Sequence, residues 1–146
     1  MNRPMNRDAI LTMIPHAGEM CLLDELLDWD GQSVRCLSHR FAAAGNPLRR
    51  PDGTLGTAAI IEIAAQAMAL HGRLTAPQDA PPRPGMLAAL RDVQLAAPLL
   101  AATAPLIITA RRLLGDGTGA SYQFAVTSDD ANLLSGRATV LFGAAS

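Results

Sequence analysis

The sequence predicts an α+β fold in which a curved antiparallel sheet wraps around one long apolar helix. Three observations carry that prediction. Residues 57–75 read TAAIIEIAAQAMALHGRLT, apolar on almost every side, which is the composition of a buried helix. Downstream, residues 85–95, 103–114, 119–128 and 133–143 are strand-like runs separated by Pro98, by Gly115-Asp116-Gly117 and by Asp129 to Asn132, the punctuation of antiparallel strands. Upstream, two more strand-like segments flank Gly31-Gln32, so the order is strand, strand, helix, four strands. With 146 residues and no internal repeat, one domain spanning residues 1–146 is expected.

Each element has its own reason. Asp8 to Met13 suits a short helix with Asp8 near its start, and Ile14-Pro15 ends it because a residue before proline avoids the α conformation. The chain then presents His16. Met20 to Asp30 (MCLLDELLDWD) fits a strand that begins buried and becomes exposed, although its leucine spacing also permits a helix. Ser33 to His39 alternates Val34 and Cys36 against Arg35, Leu37 and His39, the second arm of a hairpin. Phe41 to Leu55 has no period and reads as a long irregular connection of the kind that is usually functional or mobile. After the helix, Ala76 to Pro84 is rich in proline and cannot continue it. The four downstream strands read most simply as a meander.

Composition excludes several functions. Net charge is −1 and aromatics make up only 3%, so neither the cation excess nor the stacking platforms of a nucleic-acid-binding protein are present. Cys21 and Cys36 lack metal-ligand spacing and read as buried thiols in a reducing compartment, not as a disulfide. No set of His, Cys, Asp or Glu shows metal-ligand spacing, so no metal is expected. The amino-terminal residues lack a sustained apolar run, and the uncharged stretch from Val93 to Ala110 contains Pro98 and Pro105 and fits two strands better than a membrane span. A soluble, cytoplasmic protein is expected.

The helix poses the chemical question. On a helical wheel Gln66 lies about 40° from Glu62 and Arg73 about 20°, whereas His71 falls about 180° away. A carboxylate on an apolar helix requires a partner or a purpose. The partner could be Arg73 or backbone donors; the purpose could be proton transfer, for which desolvation would push Glu62 toward its neutral form. Gln66 would support Glu62 or make a core-edge amide contact. His39 and His71 read as surface or internally satisfied histidines. The small residues Ala58, Ala59, Ala64, Ala65 and Ala69 leave room for an apolar tunnel between helix and sheet or permit close packing on the sheet.

Two motifs carry a family resemblance: Ile14-Pro15-His16 followed by Leu22-Leu23-Asp24, and the helical Glu62-x-x-x-Gln66. In this order, and with this element order, the chain resembles the hotdog-fold 3-hydroxyacyl-[acyl-carrier-protein] dehydratases, and within them a divergent group associated with polyene-type lipid pathways. The resemblance implies a single hotdog domain and a lyase that dehydrates 3-hydroxyacyl thioesters in fatty acid or polyene biosynthesis. It implies His16 as base and Glu62 of the partner subunit as acid or water-positioning group, with Gln66 in support. It also implies an acyl carrier protein as partner, with the substrate on phosphopantetheine and no further cofactor. The assembly would be a homodimer, a trimer of dimers or a heterodimer with a second hotdog protein, one sheet running through both subunits. Typical members carry a His-Phe-Pro-Gly loop and a Pro-Gly helix entry; here Gly56-Thr57 stands at that entry, where a backbone N–H would polarise the thioester carbonyl. An acyl thioesterase of the same fold and a non-catalytic partner subunit are the alternatives. Arg49, Arg50, Arg83 and Arg91 could dock an acidic carrier protein.

Overall fold

The computed structural model describes residues 4–13, 21–39, 55–76, 85–95, 99–100, 105–116, 118–128 and 131–142. His16, Arg49, Arg50, Arg83 and most of the connection from Phe41 to Leu55 lie outside them. The elements in order are β1 (Met5–Asn6), α1 (Arg7–Leu11), β2 (Glu25–Trp29), β3 (Ser33–Ser38), β4 (Leu55–Gly56), α2 (Thr57–Thr75), β5 (Gly85–Leu95), β6 (Leu99–Leu100), β7 (Leu106–Gly115), β8 (Gly119–Ser128) and β9 (Ala131–Phe142). Helix α2 has the bounds its sequence predicts, and Asn6, not Asp8, caps α1 by accepting from the N–H of Ala9 at 3.0 Å.

Seven strands form one sheet in the order β1-β2-β3-β7-β8-β9-β5, every neighbouring pair antiparallel, and β4 pairs with β6 in a separate two-stranded piece. Strands β7, β8 and β9 make the expected meander. Strand β5 departs from it: it pairs with β9 and stands at the far end of the sheet.

Strict alternation fixes which face is inside. In β8, Ala120, Tyr122, Phe124, Val126 and Ser128 are buried, and in β9 Leu134, Gly136, Ala138 and Val140 are. Helix α2 lies on that face, with Ile63, Ala64, Ala67 and Leu70 fully enclosed with Leu26, Ile108 and Phe124 in one core. Gly136 is required by a close approach, because a Cβ there would stand 3.1 Å from Val93 Cγ2 and 3.3 Å from both the Arg91 carbonyl and Phe124. Opposite it, β5 bulges between Arg91 and Gln94, with Asp92 in the left-handed region at φ 54°.

The segment Cys21 to Asp24 is buried and runs into β2, so the burial gradient read along Met20 to Asp30 is present while the strand itself is shorter. Its polar groups are met mostly by side chains. Arg7 donates to the Cys21 carbonyl at 2.9 Å and the Ser38 hydroxyl to the Leu22 carbonyl at 2.6 Å. The His39 N–H donates to the buried Asp24 carboxylate at 2.8 Å. Cys21 and Cys36 are both buried and form no disulfide.

Candidate active site

Helix α2 carries its two acid-and-amide positions one turn apart, and the sheet decides what each meets. Glu62 is half-buried. Gln66 is fully buried and its amide divides between two partners: Oε1 accepts the Leu22 N–H at 2.8 Å, and Nε2 points to Glu62 Oε1 at 3.4 Å. The first is a strong buried bond and the second a long one. Gln66 therefore couples the Glu62 carboxylate to the backbone that follows the His16 segment. Arg73 lies about 16 Å further along the helix axis at 1.5 Å per residue, too far to answer the Glu62 charge. Gly56 ends β4 and Thr57 begins α2, so the helix entry is held by the β4–β6 pair.

The opposite side of the helix holds a second polar cluster. His71 is buried; its Nε2 lies 2.9 Å from the Asp30 carbonyl and its Nδ1 2.8 Å from the Tyr122 hydroxyl. A carbonyl only accepts, so Nε2 carries the proton and Nδ1 accepts from the phenol. Burial holds the His71 pKa below its ordinary value, more than the Asp30 carbonyl bond raises it, with Arg112 lowering it further. Burial likewise pushes the Tyr122 phenol up. Arg112 donates to Thr75 Oγ1 at 3.0 Å and to the Tyr122 hydroxyl at 3.4 Å, and Thr75 caps the His71 carbonyl at 2.9 Å. Every ring atom of His71 that can hydrogen-bond is occupied inside the protein, which makes it a structural histidine as its helical phase indicates. The roles of Leu22, Tyr122 and Arg112 have no signal in the sequence, because they depend on which strand lies under which helical turn. Among the described residues no group of His, Cys, Asp and Glu forms a metal site.

Residues 8–144 match the family model of the ApeP-like dehydratases, described as ApeP dehydratase. The chain belongs to that family. Comparison with curated proteins returned no match. Among solved structures, the chain is similar to the dehydratase heterocomplex ApeI:P from Xenorhabdus doucetiae, at 24% identity over 92% of this chain and 91% of that one, with a TM-score of 0.79. It is also similar to a mutant of thioesterase PA1618 from Pseudomonas aeruginosa, at 13% identity, 86% and 84% coverage and a TM-score of 0.64. A hypothetical thioesterase from Streptococcus pneumoniae, solved with coenzyme A, matches at 10% identity, 82% and 85% coverage and a TM-score of 0.61. These likenesses establish the hotdog fold, and the family match makes this ApeP-like chain a divergent hotdog dehydratase. Among the described residues no helix is long and apolar enough to cross a membrane.

Proposed function

We propose that this chain eliminates water from 3-hydroxyacyl thioesters carried on an acyl carrier protein. His16 takes the proton from C2 of the substrate as the C2=C3 double bond forms, and the carboxyl of the partner subunit's Glu62 protonates the departing C3 hydroxyl, which leaves as water. Gln66 holds Glu62, and the backbone N–H groups at the Gly56-Thr57 helix entry receive the thioester carbonyl. The only prosthetic arm is the substrate's own phosphopantetheine, and no dissociable cofactor takes part.

The observation that supports this reading is the Glu62–Gln66–Leu22 connection, by which each subunit holds, against its own buried backbone, the acid it would lend to the His16 of its partner. Among the described residues no strand pairs with the outer edge of β5, which supports an assembly in which the sheet continues into a second hotdog subunit, since a long open edge is a template for another strand. The likeness to a heterocomplex supports a second reading, in which this subunit works only beside a different hotdog partner.

One experiment separates these. The chain is purified alone and with a second hotdog protein, given a 3-hydroxyacyl carrier-protein substrate, and the product followed by mass spectrometry for loss of one water. Dehydration by the chain alone, abolished by His16→Ala and by Glu62→Gln while the oligomer mass is retained, is the expected result. Dehydration only in the mixture supports the heteromeric reading, and release of free acid without enoyl product would show a thioesterase instead.

A further inference from the structure

The outer face of the sheet, turned away from α2, carries a row of cations that the proposed reaction does not use. Register places Arg91 of β5 opposite Arg137 of β9, Arg137 opposite Gln123 of β8, and Gln123 opposite Arg111 of β7. All four side chains are exposed; Arg137, Gln123 and Arg111 stand on the face opposite to the buried positions of their strands, and the register with Arg137 puts Arg91 on the same face. With strands about 4.8 Å apart, the three guanidinium groups are strung across roughly 15 Å of sheet. Arg35 offers the contrast: it lies on the same face two residues along β3 and is neutralised by Asp28 at 2.7 Å. Among the described residues no such carboxylate is paired with Arg91, Arg111 or Arg137, and the nearest acid in sequence is Asp92 at the bulge.

Like charges directly opposite each other on a sheet are destabilising, so the Arg91–Arg137 pair is unfavourable in the free protein and is relieved by an anionic ligand. Two of these arginines, Arg91 and Arg137, themselves line an open groove of about 350 Å³ whose walls also include Ala89, Leu113, Leu114 and Ser121. Leu113 and Leu114 are 43% and 76% exposed, an unusual display for large aliphatic side chains next to a charged row.

The geometry points to this face as the docking site of an acidic amphipathic helix from a partner protein. The spacing supports a helix, because its 5.4 Å pitch nearly matches the strand spacing: acids one turn apart reach Arg91 and Arg137, and an acid two turns further reaches Arg111. Aliphatic residues on the adjacent stripe then enter the leucine groove. A second copy of this chain centred on the row is disfavoured, since it would set arginines against arginines. Docking here does not depend on the dehydratase chemistry, which lies on the other side of the sheet.

The test uses a fluorescent synthetic peptide of about five helical turns, with Glu at i, i+4 and i+11 and Leu on the neighbouring stripe. Anisotropy is read with the whole protein between about 50 and about 300 mM salt. Binding to the parent protein that weakens with salt, and weakens about tenfold or more in Arg91→Ala/Arg111→Ala/Arg137→Ala, is expected. Thermal unfolding of that variant should occur no lower than the parent's, because a repulsive pair is removed. If the triple variant does not fold, Arg111→Ala, which stands outside the opposed pair, carries the same comparison. Equal binding by the variant, equal binding of a peptide with Gln in place of Glu, no binding at all, or binding of phosphatidylglycerol vesicles in preference to the peptide would each overturn the proposal.

Discussion

Gln66→Leu is the substitution that most directly probes the centre of the molecule. Leucine retains the volume and apolar stem of glutamine, so little cavity is opened, but the amide is lost. The Leu22 N–H, now bonded at 2.8 Å within a buried segment, is left without that acceptor. An orphaned buried donor costs about 1–3 kcal/mol, and the 3.4 Å contact to Glu62 adds little, so a loss of about 2 kcal/mol is expected. With a urea dependence of about 2 kcal/mol per molar, the midpoint should fall by about 1 M at unchanged slope. Unfolding is measured at one protein concentration, because association contributes to apparent stability. A midpoint shift under about 0.25 M would mean that the Gln66 bond is not a structural tie, and the coupling of Glu62 to the Leu22 backbone would fall with it.

The pH dependence of stability follows from His71. Its folded-state pKa lies below the ordinary 6.5, so the neutral ring's contribution is complete above about pH 6.5 and is lost as pH falls below that value toward the folded-state pKa, with a slope of at most about 1.4 kcal/mol per pH unit. Denaturant titrations from pH 8 downward should show this limb in the parent and a flatter one in His71→Gln; the same slope in both would assign the acid sensitivity elsewhere. Burial, with Asp28 nearby, pushes the Cys36 thiol up to about 12, so about one thiol in ten thousand is ionised at pH 8. A thiol reagent should leave Cys36 untouched in the native protein and modify it on unfolding; rapid native labelling would contradict the buried placement.

What was legible in the sequence was whatever a local period can carry. Helix α2, β5 and β8 have the bounds their residues indicate, since long apolar or alternating runs flanked by proline, glycine and aspartate leave few choices. The two-residue strands β1, β4 and β6 are too short to show a period at all. The place of β5 beside β9 is a tertiary choice that turn residues do not encode. Cys21 to Asp24 misleads in a specific way: four buried residues read as strand, yet the backbone of Cys21 and Leu22 is met by the side chains of Arg7, Gln66 and Ser38, the Asp24 N–H donates to the Leu37 carbonyl as a strand would, and burial alone does not distinguish the two solutions. In the site, the Glu62–Gln66 pairing could be drawn on a helical wheel. What Gln66 does with its other end could not, because Leu22 is 44 residues away in sequence. His16 lies outside the described residues, so its part in the site rests on the motif alone.

Gln66 and His71, both buried on α2, share a consequence that neither shows alone. Gln66 bonds the chain just before β2, at Leu22, and His71 bonds it just after β2, at Asp30, so the helix grips that strand at both ends. Strand β2 needs this grip, because among the described residues its outer neighbour is the two-residue β1. A near-edge strand held by a short ladder is free to slip or fray, and hydrogen bonds from a rigid helix to its two flanks fix its register. The helix that carries Glu62 is thereby set against the strand that follows the Ile14-Pro15-His16 motif. The buried amide and the buried imidazole are thus parts of one device, which fixes the helix that carries Glu62 against β2 of its own subunit, so that the acid offered to a partner subunit stands in a set place.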